Sequence, residues 1–203
     1  MQIVLHQGDI PDGLAFPKGV AIDTEAMGLK IGRDRLCLVQ LCGGDNICHL
    51  VQIACSPSPA PHLTHLLADP QTLKIFHFAR FDVLLLEKTF RTPVTPFYCT
   101  KLASKIVRTY TDQHGLKSLC RHLLKIETSK EEQTSDWGSE TLSSEQQRYA
   151  AADVVHLHAL KERLDAMLQR EGKVALFQAG IRGLIEILHL ESAGFDAEGL
   201  FRH

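Results

Sequence analysis

Three stretches of this chain put carboxylates where a folded protein wants apolar side chains. In VAIDTEA, strand alternation gives Asp23 and Glu25 one face and Ile22 and Thr24 the other. Two carboxylates two strand steps apart, ~7 Å along the backbone, are spaced to share a metal ion. The alternative is an edge strand running out into solvent after Glu25. In FARFDVLLLEKT, the helical stripe of Phe78, Phe81, Leu85, Leu86 and Thr89 has Asp82 in its middle. A buried carboxylate is costly unless a cation, strong donors or a tertiary salt bridge meets it, and Arg80, two residues away, faces elsewhere. The third stripe reads Tyr149, Ala152, Asp153, Leu157, Leu160, Leu164. Tyr149 and Asp153 stand at i and i+4 on one face, and the small run Ala150–Ala152 lets something approach closely.

Gathered in one cleft, Asp23, Glu25, Asp82 and Asp153 would repel one another, and divalent cations relieve that repulsion. Oxygen-only ligands favour Mg²⁺ or Mn²⁺ over zinc. A pair of such ions ~4 Å apart suits in-line displacement at a phosphodiester. A tyrosine hydroxyl one turn from a ligand can orient the attacking water or help deprotonate it. The charge pattern agrees with an anionic substrate. From Lys74 to Lys125 ten basic residues face only Asp82, Glu87 and Asp112, in a chain whose net charge is −2. Such asymmetry marks either an anion-binding face or a solvated basic surface.

These side chains need a scaffold, and 203 residues make one large domain or two small ones. Strand patterns cover Gln2–His6, Val20–Glu25, Leu36–Cys42, Ile47–Gln52 and Leu73–Phe76. Helices are expected at Pro61–Ala68, Ala79–Phe90, Thr100–Arg108 and Gly115–Leu124, and Lys125–Ser139 reads as a polar loop. A long helix opens at Ser144, behind the capping-box pair Ser143 and Gln146, and runs to Arg170. Gly172 ends it, and a last helix covers Val174–His189. The pattern predicts an α/β fold, a sheet covered by helices. Residues 1–170 are expected to form the catalytic domain, and 171–203 a helical extension packed on the core or on a neighbouring subunit.

The six cysteines form no CxxC and several sit in apolar runs such as RLCLVQLC, so reduced, mostly buried thiols are expected. Cys48 and His49 are adjacent, which is the wrong spacing for structural zinc. No apolar run reaches the ~18–20 residues of a membrane span, and the first residues lack a secretory signal pattern. A cytoplasmic protein without a membrane partner is expected. GxGxxG, P-loop and GxSxG motifs are absent from the sequence.

The order AIDTEAMGL, HFARFDVLLL, YAAADVVHLHAL resembles the three motifs of DEDD 3′→5′ exonucleases, with Tyr149-x-x-x-Asp153 marking the tyrosine subtype that includes ribonuclease D. SDWGSETLSSEQQRYAAADV is especially similar to ribonuclease D. The resemblance spans about residues 18–165. Ribonuclease D continues into helical nucleic-acid-binding domains, which a chain stopping at His203 is expected to lack. HQGD, RDRLCLVQL, KIFHFARFD, CTKLASKIVRTYTDQHGLK and SDWGSETLS resemble the short stand-alone ribonuclease D-like enzymes called nanoRNase C. That resemblance implies an RNase H-like (DnaQ-like) mixed sheet flanked by helices, a ring-shaped homo-octamer, and very short RNA substrates down to dinucleotides.

By the same resemblance Asp23, Glu25, Asp82 and Asp153 would be ligands of two Mg²⁺ ions, with Mn²⁺ able to substitute, and Tyr149 would position the attacking water. Leu29, six residues after Asp23, matches a leucine wedge between two bases; its alternative is ordinary packing. Thr24, between the two acids, joins the candidate substrate contacts. Arg80, Arg108, His114 and Lys117 are phosphate-binding candidates by charge and neighbourhood, with plain surface positions as the alternative. The expected function is a metal-dependent exoribonuclease that cuts dinucleotides to mononucleotides. Two alternatives are a broader exonuclease on longer RNA or DNA ends and a catalytically idle binding module. The idle module is disfavoured because all four acids are present.

Overall fold

The computed structural model describes residues 1–55, 59–127 and 135–202. Six strands form one mixed sheet in the spatial order β1 (Gln2–Gln7), β4 (Ile47–Gln52), β3 (Leu36–Cys42), β2 (Val20–Ala26), β5 (Lys74–Phe76), β6 (Phe97–Cys99). β3 is antiparallel to both its neighbours, and the other pairings are parallel. All seven residues of β3 are buried, which is why LCLVQLC reads as an unbroken apolar run rather than an alternating one. β6 has no counterpart among the sequence expectations: three residues just after Pro96 offer no alternation to read. Of the expected loop Lys125–Ser139, residues 128–134 lie outside the described residues.

Helices cover both faces. They are α1 (Pro61–Ala68), α2 (Ala79–Phe90), α3 (Thr100–Val107), α4 (Leu116–Leu119), α5 (Ser144–Val155), α6 (Leu157–Arg170), α7 (Val174–Ser192) and α8 (Ala197–Leu200); a π-helical turn, Cys120–Leu124, prolongs α4. The expectation of one helix from Ser144 to Arg170 is corrected here, because the chain breaks at His156. A continuous helix would stack Asp153 and Leu157 at i and i+4 on one side. The break lets Leu157, Leu160, Leu164 and Leu168 enter the core while Asp153 stays only half-buried.

The two faces of β2 decide what meets there. Ile22 joins Val39, Leu41 and Val51 in a core closed by Val83 and Leu86 of α2. On the other face Ala21, Cys42, Cys48 and Ile75 pack under Ala151, Val154 and Leu157. By alternation Thr24 faces the α2 layer, and Asp23 and Glu25 face the α5 layer. β5 is only three residues long and pairs with β2 through Val20 and Ala21 alone. From Asp23 onward β2 therefore has an open edge, where side chains from both helical layers can converge.

α7 contacts α2, α3, α6 and β6. Its Leu188 is buried in the core on the α2 side, and Phe177 in the core on the α6 side. The side chain of Glu191 in α7 forms an ion pair with Arg80 in the first turn of α2, with Arg80 Nε 3.0 Å from Glu191 Oε1.

Candidate active site

At the open edge of β2, carboxylate oxygens of Asp23, Glu25 and Asp153 lie within 4.8 Å of one another. The first two arrive from the strand and the third from α5, so the cluster joins residues 128 and 130 positions apart in sequence. Asp82 enters from the opposite layer. It is 5 % exposed, and the hydroxyl of Thr24 donates to its Oδ1 at 2.5 Å. The backbone N–H of Thr24 pulls against the rise of the Asp23 and Asp82 carboxyls. The start of α2 is set by Phe78, a bulky residue held in the left-handed region (φ 69°), which is a strained choice outside glycine. Next to it, His77 Nδ1 lies 2.9 Å from Thr100 Oγ1.

α5 is fixed at its origin by a full capping box: Gln146 N–H donates to Ser143 Oγ, and Ser143 N–H donates to Gln146 Oε1. Tyr149, half-buried, stands one turn before Asp153 and interacts with that carboxylate. Its ring packs on the buried Trp137, with centroids 6.1 Å apart. The Trp137 loop is itself pinned: Arg35 donates to Gly138 O, Gln52 to Ser139 O and Gln146 to Asp136 O. Trp137 was not among the expected site residues. Its signal was being the only tryptophan, beside a glycine in a polar loop.

Burial and mutual repulsion govern the acids. Burial first, then Asp82, Asp153 and Glu25, hold the Asp23 carboxyl well above its usual range. Glu25 is pushed up to about 8 by burial and by the charges of Asp153 and Asp82. Asp82 rises to about 7 through burial, against the pull of the Thr24 hydroxyl. Asp153 rises to about 6 through burial, offset by the charge of Lys117 and the Tyr149 hydroxyl. Burial and the same acids raise Tyr149 far above neutrality, so its phenol keeps its proton. Four such acids cannot all ionise at neutral pH without added positive charge. An all-oxygen donor set at this spacing fits a hard divalent cation such as Mg²⁺.

The other expected contacts are spread more widely. Leu29 is 84 % exposed, so packing does not account for it. Lys117 acts electrostatically on Asp153. Arg108 is 2 % exposed and donates to Ser104 Oγ and Gln113 O, while His114 Nδ1 lies 2.9 Å from the same Ser104 hydroxyl. Together they fix the loop between α3 and α4. Arg80 is engaged by Glu191 rather than aimed at the acids.

Residues 12–169 match the 3′-5′ exonuclease family. Ribonuclease D of Granulibacter bethesdensis is 36 % identical over 156 residues, covering 77 % of this chain and 39 % of that protein. The chain spans about two-fifths of the length of the curated relatives it matches first. Brucella melitensis NrnC with bound Mg²⁺ is 43 % identical over 100 % of both chains, with a TM-score of 0.93. The same protein bound to pGG gives 43 % identity, a TM-score of 0.94, and coverage of 100 % of this chain and 99 % of that one. The mixed sheet flanked by helices is thus the RNase H-like fold of these nucleases. Matching the family model from residue 12 to 169, and sharing the full length of its fold with a solved nuclease, the chain belongs to the 3′-5′ exonuclease family.

Proposed function

We propose that this protein is a metal-dependent 3′→5′ exoribonuclease that hydrolyses very short RNAs, dinucleotides above all, to mononucleotides. The observation that carries the reading is the meeting of Asp23, Glu25 and Asp153 within 4.8 Å, with Tyr149 one turn from Asp153. The preference for short substrates is supported by the end-to-end likeness to NrnC, including a structure bound to pGG.

Asp23, Glu25, Asp82 and Asp153 would hold two Mg²⁺ ions, with Mn²⁺ able to replace them. Bound there, the cations supply positive charge to the phosphoryl and leaving oxygens and favour deprotonation of water. Tyr149, kept protonated by its surroundings, orients the attacking water through its hydroxyl. Thr24 holds Asp82 in place from the opposite layer. Leu29, free of packing, wedges between the two bases. Lys117 and His114 take the terminal phosphate, and buried Arg108 supports their loop. Arg80 contributes through its field while tied to α7.

In the cell we place the enzyme in the cytoplasm as a homo-octameric ring; among the described residues no helix is long and apolar enough to cross a membrane. Residues 171–203 serve as an extension on the 1–170 catalytic domain. The exposed side chains of Phe195, Leu200 and Phe201 near its end suit a subunit contact.

The test uses 5′-labelled RNAs of two to seven nucleotides, and DNAs of matched sequence, with Mg²⁺, substoichiometric enzyme and an EDTA control. Fast dinucleotide cleavage with slow turnover of longer strands is expected. An even descending ladder on all lengths would replace this reading with a general exonuclease, and turnover in EDTA would remove the metal from it.

A further inference from the structure

β3 carries one polar side chain in the middle of a fully buried run. Gln40 is 0 % exposed, and neither its Nε2 nor its Oε1 has a hydrogen-bond partner. A buried amide left unsatisfied costs roughly 1–3 kcal/mol. Methionine or leucine would fill the same space without that cost, so packing alone does not account for glutamine here.

The strand register does. Gln40 is the direct cross-strand partner of Asp23. Opposed residues of an antiparallel pair project from the same face with Cβ atoms ~4.5–5.5 Å apart. The two side chains therefore leave neighbouring positions on the α5 face of the sheet, which brings the amide within reach of the Asp23 carboxylate. The other nearest positions to Gln40 in the register are apolar. Leu38 and Cys42 flank it along β3, and Leu50 opposes it on β4. Leu38 and Leu50 pack with Ala150, and Cys42 with Ala151, so the alanines of α5 roof this row and their small side chains leave room for the amide. Asp23 is the one charged residue that the register sets directly opposite Gln40, and Glu25 stands diagonally one row along the same face.

We propose that Gln40 is a positioning residue of the metal site: in the Mg²⁺-loaded protein its amide N–H donates to the Asp23 carboxylate and fixes the orientation in which that carboxylate faces Glu25 and Asp153. The inference rests on the Mg²⁺-dependent reading above. Ligating carboxylates are commonly held by a hydrogen bond from behind, and loss of such a partner typically lowers metal affinity ~10–100-fold. A neutral amide suits the place. It donates without adding a fifth negative charge to the acids, and without a fixed positive charge that would compete with the cation.

The test compares the full-length wild type with Gln40→Met, which keeps the volume and removes the amide, and with Gln40→Asn, which withdraws the amide by one methylene. Three quantities are measured: Tm in EDTA, Mg²⁺ affinity by calorimetry on the metal-free protein, and the Mg²⁺ dependence of dinucleotide hydrolysis. For Gln40→Met the expected result is a Tm in EDTA equal to or above wild type and an Mg²⁺ Kd raised about tenfold or more. Turnover should recover at high Mg²⁺, with KM for the dinucleotide within about twofold of wild type, as for a partner of the metal ligands rather than of substrate. Gln40→Asn should weaken Mg²⁺ binding in the same direction. An unchanged Mg²⁺ Kd in a folded Gln40→Met protein overturns the proposal and leaves Gln40 a packing residue. Should both variants fail to fold, a crystal structure of the wild type with Mg²⁺ decides. Nε2 within ~3.2 Å of an Asp23 oxygen supports the proposal, and an amide bonded elsewhere refutes it. A wild type that binds Mg²⁺ yet cleaves no short RNA sinks the functional reading alone, because the calorimetric comparison needs no turnover.

Discussion

Thr24 and Asp82 meet at the open edge of the sheet, the hydroxyl of one donating to the carboxylate of the other at 2.5 Å. Alternation sends Thr24 away from Asp23 and Glu25, into the layer from which Asp82 arrives. One strand thus supplies two acids to one side of the edge and a tether for a third acid to the other.

Thr24→Val keeps the β-branched shape and removes the hydroxyl. A hydrogen bond to a charged group contributes ~1.5–3 kcal/mol, so kcat/KM on a dinucleotide should fall about tenfold or more, and Thr24→Ser should keep most of it. Steady-state kinetics at saturating Mg²⁺ measures this. Equal activity of the valine and wild-type proteins would remove Thr24 from the site.

In EDTA the acids give the protein an unusual pH dependence. Glu25 at about 8 and Asp82 at about 7 hold protons in the folded state that they release in the unfolded chain. Stability contributed by such groups is present at low pH and lost as pH rises through the folded values. The buried histidines, whose shifts are downward, act below their ordinary value of 6.5, so from there to about 8 they do not mask the acids, and comparison with Glu25→Gln separates the acids from the lowered Cys42 thiol. Tm in EDTA should fall across that window. The fall should be smaller in Glu25→Gln, and the rise in Tm on adding Mg²⁺ should be greatest at the upper end. A Tm that climbs with pH in EDTA, by the same amount in both proteins, would contradict the assignment.

Tyr149→Phe separates orientation of water from metal holding. The ring still packs on Trp137, so folding and Mg²⁺ affinity should stay close to wild type while kcat drops ~100-fold or more. Calorimetry alongside single-turnover kinetics checks both halves. A comparable loss of Mg²⁺ binding would make the hydroxyl a structural contact of Asp153 only.

Leu29→Ala should leave Tm within about 1 °C, because an 84 % exposed side chain contributes little to the core. If Leu29 wedges between bases, burial of its side chain against them is worth ~1.5–3 kcal/mol, and KM for dinucleotides should rise about tenfold. Kinetics on dinucleotides and on a mononucleotide aryl ester distinguishes the cases: a wedge affects the first and spares the second.

The carboxylates were legible in the sequence because each breaks a local rule. Asp82 and Asp153 interrupt apolar stripes at helical spacing, and Asp23 and Glu25 alternate with Ile22 and Thr24 at strand spacing. Five strands, and helices α1, α2, α3 and α7, were legible because apolar patterning is a local property of the chain. The break at His156 was not, since Val155 and His156 carry no helix-stopping residue and the pattern of leucines runs on through Leu157. What ends the helix is a tertiary conflict between a core that draws Leu157 inward and a cleft that keeps Asp153 half-open. Nor did any local pattern pair Arg80 with Glu191, 111 residues apart, or bury Arg108 under its own loop.

The sequence by itself determined which residues are able to do chemistry, because residue type and short-range spacing are written in the chain. Only the tertiary structure decided that they meet. The shortness of β5 opens the edge of β2, the two helical layers deliver Asp82 and Asp153 to that edge, and the β2–β3 register sets Gln40 beside Asp23. Those relationships depend on where strands end and how they pair, and pairing is a contest among many distant segments that no single stretch of sequence can settle alone.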